Sequence, residues 1–533
     1  MIHLPLFIVL ALLLVLYNII RFYRKQVIKR KYKCQKIPNA QTSTFLSYLG
    51  LEFIVNYNKI QEEGRIHQNM YKQFKDLKTS TLAQTMLFLK VVFTTEPENY
   101  RYMSSSANFN NWTIGDRPDA FDPLLGDGIF SSSGESWKHS RIMLRPFFSK
   151  DHIKQIEYME PYVKDVVRLI NKYQRDGVVV DMQEIFQYFT IDYATKFLLG
   201  ESCDTLKGAL DEPTSVTIDP ELKSRFAKAF DISLKYLMLR VSLGKPLMWL
   251  VNPKELREAN KIQHDFVRYY INKALAMNEE ELNKHSDNGN CFLYEIAKQT
   301  KDPKILQDEV MSIILAGRNT TSSLLSFLFF ELSRDANKEI LKKLVDAVRS
   351  NFDSIESITY EKIHNCDYLR WCLYETLRFH PSVPLASKTA AVDTILPKGG
   401  GLDNESPVFV PKGRRVVYPL YTANRNSKYF GSDTEVYRPE RFADLPKSGG
   451  PAFMPFSTGP RLCLGQQLAL TEASYITIRL LQTFDVIEKV GDEPYPPRTS
   501  SSATMRLMDG AKVRMRTSSS TTPSITPTKT VKC

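Results

Sequence analysis

The chain is sparing with cysteine. Seven residues in 533, an odd number at irregular spacings, exclude the disulfide framework of a secreted domain and read as reduced intracellular thiols. No second thiolate or histidine stands at short spacing from Cys463, so a zinc site there is excluded as well. No repeat of fixed period is visible. The one glycine run, Lys398 to Gly401, does not join a strand to a helix and is followed by "LDNESPVFVP", so it is not a nucleotide loop. Without a flavin or nicotinamide domain, any redox chemistry needs electrons from another protein.

Acid is missing from both ends. Arg21 to Lys36 carries eight Lys and Arg and no acid, and Ala511 to Cys533 carries five and no acid. Eight plus five is thirteen, which against a net charge of +12 leaves residues 37–510 at −1. Basicity confined to the ends does not make a nucleic-acid-binding face.

What is present starts with "IHLPLFIVLALLLVLYNII", Ile2 to Ile20, apolar apart from His3, Pro5 and Asn18. About 20 such residues span a bilayer as a helix. A cleavable signal would carry its positive charges before the apolar run; here they follow it, which predicts a retained anchor with the rest of the chain cytosolic. Residues 1–20 are thus expected to be a transmembrane anchor and 21–40 a basic juxtamembrane linker. Residues 41–510 form one large domain, and 511–533, Ser/Thr/Pro-rich, a disordered tail. With 43% hydrophobic and 24% charged residues the middle is globular. Helical spacing through "DHIKQIEYMEPYVKDVVRLINKY" and "EILKKLVDAVRSNF", against short β-branched runs such as "PVFVPKGRRVVYPLY", predicts a mainly α fold with a small β region.

Five segments combine residue types that a plain core would not need. "FSTGPRLCLG", Phe456 to Gly465, sets Cys463 in a loop with Gly459 and Arg461; by itself it admits a core thiol, a catalytic thiol or a single metal ligand. "DEVMSIILAGRNTTSSLLSFLFFELSR" is apolar nearly all round but carries Gly317, Arg318, Asn319, Thr320 and Thr321 at its centre. Thr320 is placed to bond the carbonyl of Ala316, which bends a helix and opens a polar groove; a tolerated kink is the bland alternative. Glu375 and Arg378 sit three apart on one helix face, an ordinary surface pair if taken alone. "VYRPERF" supplies Arg441 after a proline turn, and "GESWKHSRIMLRPFF" supplies Trp137 and Arg141 at i, i+4.

In this order the segments resemble the motifs of heme-thiolate monooxygenases of the cytochrome P-450 family: W-x-x-x-R, A-G-x-x-T-T, E-x-x-R, P-E-R-F and F-x-x-G-x-R-x-C-x-G. The resemblance covers about residues 40–510 and implies the P-450 fold behind the anchor. It implies heme b with Cys463 as the axial thiolate of its iron, pushing electron density onto bound oxygen. It further implies that Arg461, Arg141 and Trp137 hold the heme propionates, as donors suited to carboxylates. Gly459 and Gly465 would let backbone approach the sulfur, Phe456 would shield it, and Glu375, Arg378 and Arg441 would lock the fold behind it. Thr320 becomes the oxygen-binding alcohol.

Two positions depart from the family pattern. Asn319 stands where relatives usually carry Asp or Glu, so protons must come through water, Thr320 or another acid. Lys388 stands where close relatives tend to carry a propionate-binding arginine; it keeps the charge and loses the planar fork. "AFMPFSTGPRLCLGQQLALTEASYITIRLLQTFD", "LSFLFFELSR" and "MWLVNPKELREANK" are most similar to fungal enzymes that hydroxylate n-alkanes and fatty acids. The implied activity is insertion of one atom of O2 into a small hydrophobic substrate, with NADPH-cytochrome P-450 reductase and membrane lipid as partners at the endoplasmic reticulum. Substrate contacts are expected from 101–133, 213–255, 312–320 and 382–390. Tailoring of a polyketide-like metabolite, and a heme protein with little catalysis, are the alternatives.

Overall fold

The computed structural model describes residues 3–40, 50, 59–86, 89–149, 154, 156–214, 220–285, 291–501 and 503–518. The fold is mainly helical, with small sheets at its edges. Its axis is the helix Pro303–Leu332, called the central helix below. Asp302 caps it by accepting from the Lys304 and Ile305 amides at 2.8 and 3.4 Å, and Pro303 fills a first-turn position where no N–H is needed. By length and composition this helix could cross a membrane, but it is mostly buried and is core.

Two apolar clusters divide the central helix between them. Leu306, Val310, Met311, Ile314 and Leu315 join one, with Phe226, Phe230, Phe266 and Phe292 from the helices around them. Leu324 to Leu332 join the other, with Phe186, Phe189, Leu480 and Leu481. The stretch between, Ala316 to Ser323, belongs to neither, so the polar centre seen in the sequence is the seam between two cores.

The largest sheet has five strands in the order Thr81–Met86, Leu89–Thr94, Arg415–Pro419, Leu385–Ala390, Trp112–Thr113. One pairing is parallel, Leu89–Thr94 on Arg415–Pro419 with Val92 opposite Val416; the others are antiparallel, and Lys388 lies opposite Val416. The glycine run is part of a hairpin, Thr394–Gly400 on Ser406–Val410. Gly399, at φ 100°, lies so close to Thr81 that a Cβ would sit 2.0 Å from its Oγ1.

The ends differ from the sequence expectation in two ways. The first helix runs unbroken from His3 to Lys31, so no structural boundary falls at residue 20; its last turn carries Lys29, Arg30 and Lys31, favourable at a helix C-terminus. At the other end the expected domain limit of 510 is too early. Lys512–Arg516 is a strand between Val180–Asp181 and Val486–Lys489, burying Val513 and Met515. The tail expected from 511 therefore starts no earlier than 517, and 519–533 lie outside the described residues.

Candidate active site

Cys463 sits between the turn Gly459–Arg461 and the helix Gln466–Thr483, the cysteine helix below. Its N–H donates to the Phe456 carbonyl at 3.0 Å, and Leu462 N–H donates to Gly459 at 3.0 Å, closing the loop on itself. Gly459 has φ 70°, and a Cβ there would meet the Ser104 carbonyl oxygen at 1.8 Å, so only glycine allows the loop to seat on the helix Pro97–Ser104. Gly465 contributes through its backbone, its N–H lowering the pKa of the Cys463 sulfur; a Cβ there would make only ordinary contact with Phe148, so the position does not itself demand glycine. The thiol has accessible surface yet is densely surrounded by protein, so it faces an internal cleft. Burial pushes its pKa up; the Gly465 amide and the Arg141 charge pull it down. Phe456 packs half-buried against the core beside this loop.

Four cations converge on the loop. Arg461 donates to the Ser132 carbonyl at 2.9 Å and lies 4.5 Å over the Trp137 ring. Arg141 donates to the Leu462 carbonyl at 3.0 Å, with its guanidinium 5.7 Å from the same ring. Lys388 is 8% exposed, and its pKa is lowered to about 8 by burial and by the charges of Arg461 and Arg117. Arg461 is lowered to about 10 by burial, Arg117 and Arg141. No carboxylate pairs with any of the four among the described residues. Cations that depress one another and lack a counter-ion fit a bound dianion, and a heme with its two propionates is one. Sequence reasoning missed Arg117. It opens the helix Arg117–Leu125 with no motif spacing to mark it, and only the fold brings it to Lys388 and Arg461.

The central helix offers one open face. Ile313, Ala316, Gly317 and Thr320, at helical spacing, carry accessible surface where most of their neighbours are buried, and a Cβ on Gly317 would meet nothing within 4 Å. Thr320 Oγ1 donates to the Ala316 carbonyl at 2.8 Å, the bond expected to bend the helix, and the Thr320 carbonyl accepts from Ser382 at 3.1 Å. Asn319 is not on this face: it is 4% exposed, one helical step round from Thr320. Arg318, equally buried, pairs with Asp231 at 3.3 Å.

Behind the cysteine loop Glu375 receives both arginines. Arg378 bonds it through Nε and a terminal nitrogen, both at 2.8 Å, and Arg441 Nε reaches both carboxylate oxygens at 3.0 and 3.1 Å. All three are at least 96% buried, and the remaining guanidinium donors end on the carbonyls of Asn424, Thr434, Phe430, Asp433 and Val436 and on the Asp433 carboxylate. A buried ion pair is favourable only when its other polar atoms are satisfied, and here they are. The surface pair that Glu375 and Arg378 resemble in sequence is an interior clamp.

The comparisons agree with this geometry. The Cytochrome P450 family model matches residues 48–513. Cytochrome P450 52C2 of Candida maltosa is 51% identical over 506 residues, 95% of this chain and 98% of its own length. Cytochrome P450 52C1 of Candida tropicalis is 44% identical over 95% of this chain, and Cytochrome P450 52A13 of Debaryomyces hansenii 39% over 96%. The thiol loop, the counter-ion-free cations and a match spanning the whole domain establish that this chain is a heme-binding monooxygenase of the cytochrome P450 family.

Proposed function

We propose that the protein is a membrane-anchored monooxygenase that inserts one atom of O2 into an aliphatic, fatty-acid- or alkane-like substrate, using electrons from NADPH delivered by a separate reductase. The convergence of Arg117, Arg141, Lys388 and Arg461 beside Cys463 carries the heme assignment. Cys463 is the iron ligand, Trp137 and the four cations hold the propionates, and the Glu375–Arg378–Arg441 clamp fixes the loop's support. Bound heme supplies oxygen activation and C–H oxidation. The chain supplies the rest. The Gly465 amide and Arg141 oppose the burial that raises the Cys463 pKa, the open face of the central helix admits substrate, and the Thr320 hydroxyl holds a proton where oxygen is handled.

Three features support a bilayer setting: a first helix of 29 residues, the exposure of Leu12, Leu13, Leu14, Val15 and Leu16 on it, and the basic turn that ends it. Trp249 and Leu250, 69% and 59% exposed on the body, suit the same surface.

Cys463→Ser tests the ligand assignment. The variant's reduced carbon monoxide complex should lose the red-shifted band of thiolate-ligated heme, together with hydroxylation. Retention of that band would place the ligand elsewhere. Titrating the wild type with alkanes and fatty acids of matched length, and following the optical shift that accompanies loss of iron-bound water, tests the substrate class.

A further inference from the structure

Arg257, Lys261, His264 and Arg268 recur at steps of four, three and four, which sets them in one stripe along the helix Lys254–Leu275. The stripe lines an open cleft of about 600 Å3, together with Arg240 of the helix Pro220–Leu243 and Trp249 of the turn Met248–Leu250. Cations exceed acids there. Asp265 is the one carboxylate in the lining, and it approaches Arg268 at 3.7 Å. His264 meets the Leu124 carbonyl at 2.8 Å, Arg257 spends one terminal nitrogen on the Asn252 carbonyl at 2.6 Å, and Arg240 donates only to the carbonyls of Asp119, Ala120, Met248 and Val251. No carboxylate pairs with Arg240, Arg257 or Lys261 among the described residues, and the acids nearby have partners of their own, Glu258 in Lys254 at 3.3 Å and Asp119 in Lys245 at 3.0 Å. The cleft therefore has positive charge to spare. None of its lining residues belongs to the thiol loop, the heme cations or the open face of the central helix.

Two observations say what fills it. Trp249 satisfies its ring N–H on the Pro246 carbonyl at 2.9 Å, so the exposed indole, with Leu250 beside it, is an apolar tip at the edge of a basic cleft. The loop that carries this tip also stands on the flank to which the segment after the first helix is joined. Lys245 N–H donates to Asp116 at 3.2 Å, Arg415 donates to the Val241 carbonyl at 3.0 Å, and a Cβ on Gly244 would meet Leu89 at 2.9 Å. Leu89 starts the strand paired with Thr81–Met86, and that strand accepts the Ala40 amide at Ala83. We propose that the cleft binds the phosphate of an anionic glycerophospholipid, with Arg257, Lys261 and Arg268 meeting its oxygens while Trp249 and Leu250 enter the acyl region alongside. This rests on the bilayer setting above and names which lipid the body selects, and where.

The charge balance sets the selectivity. A phosphatidate brings negative charge alone to the spare cations, whereas a phosphatidylcholine carries its own cation next to the phosphate and cancels most of the attraction. Inorganic phosphate meets the same donors but has nothing for the apolar tip to enter.

The test uses the full-length protein in nonionic detergent, with Trp249 as reporter, because of the four tryptophans it alone is exposed. Dihexanoyl phosphatidate should shift its emission to the blue at a half-saturating concentration at least roughly ten-fold below that of dihexanoyl phosphatidylcholine, and added salt should narrow the gap. Inorganic phosphate should compete with the phosphatidate without causing the shift. Arg257→Gln combined with Lys261→Gln, both at exposed positions, should raise the phosphatidate half-saturation roughly ten-fold and leave the heme spectrum unchanged. Equal affinity for the two lipids, a gap that persists in the double variant, or a shift that survives Trp249→Phe overturns the proposal. Inorganic phosphate that produces the full shift by itself overturns the lipid assignment too. Wild-type protein released from membranes by alkaline carbonate would instead refute the bilayer setting, on which the detergent titration does not depend.

Discussion

Lys388 is the cation of the cluster whose charge is easiest to lose. Its pKa of about 8 lies below the ordinary lysine value of 10.5, so between these two the unfolded chain binds the proton that the folded chain has released. Apoprotein stability should accordingly rise with pH across that window, while heme affinity falls, because an uncharged amine no longer meets a propionate. Lys388→Arg should flatten the second trend, since a guanidinium stays charged. Measuring heme transfer to an excess of scavenger protein from pH 7 to 9.5 checks it; identical pH profiles for wild type and variant would count against Lys388 as a propionate contact. At this scale the sequence was legible where chemistry is contiguous. Cys463, Gly459, Arg461 and Gly465 fall within ten residues, and Trp137 and Arg141 share a helix face. Arg117 was not legible, because it is assigned only by what the fold sets across from it. Asn319 shows the converse: its departure from the family pattern was visible, but its burial away from the open face was not.

The strand Lys512–Arg516 is the element the sequence concealed. Its alternation of apolar and basic residues is only five residues long and runs straight into a Ser/Thr/Pro tract, whose composition dominates any window over this end. Val513 and Met515 nonetheless lie buried against partners more than 20 residues away in sequence, Ile487 and Val180. Truncation after Gly510 should cost about 3–6 kcal/mol, the burial of two large apolar side chains, and shift thermal unfolding visibly. Truncation after Ser518 should leave the melting curve unchanged; equal effects would mean the strand contributes nothing. The central helix shows what made other elements readable. The stretch from Asp308 to Arg334, apolar nearly all round, announces itself, and so does its polar interruption. That the interruption divides two apolar clusters depends on helices from Phe186 to Leu481 packing on either half of it and had no local signature.

At the scale of the molecule the first helix and the body are separable in function but almost contiguous in space. Deleting residues 1–31 should free the protein from carbonate-stripped membranes while the heme spectrum survives, since the described contacts of the body begin after Lys31 with few exceptions such as Lys29 over Phe409. Protein that stays in the pellet would show that the body's own apolar surface suffices. The deletion should not extend to residue 40, because the Gln35 amide donates to the Pro407 carbonyl at 2.8 Å and Ala40 to Ala83 at 2.9 Å.

That stitched segment has a mechanical consequence. Cys34 N–H still closes on the Lys29 carbonyl at 2.9 Å, so almost no slack separates the end of the first helix from its first bond to the hairpin. Even fully extended, three residues reach only about 10 Å. If the first helix spans a bilayer as proposed, a tether that short converts the pose of the span into the pose of the whole body. The catalytic domain would then neither tumble nor drift from the lipid surface; it would present one fixed flank, and an electron donor held in the same bilayer would meet it by lateral diffusion, a search in two dimensions instead of three.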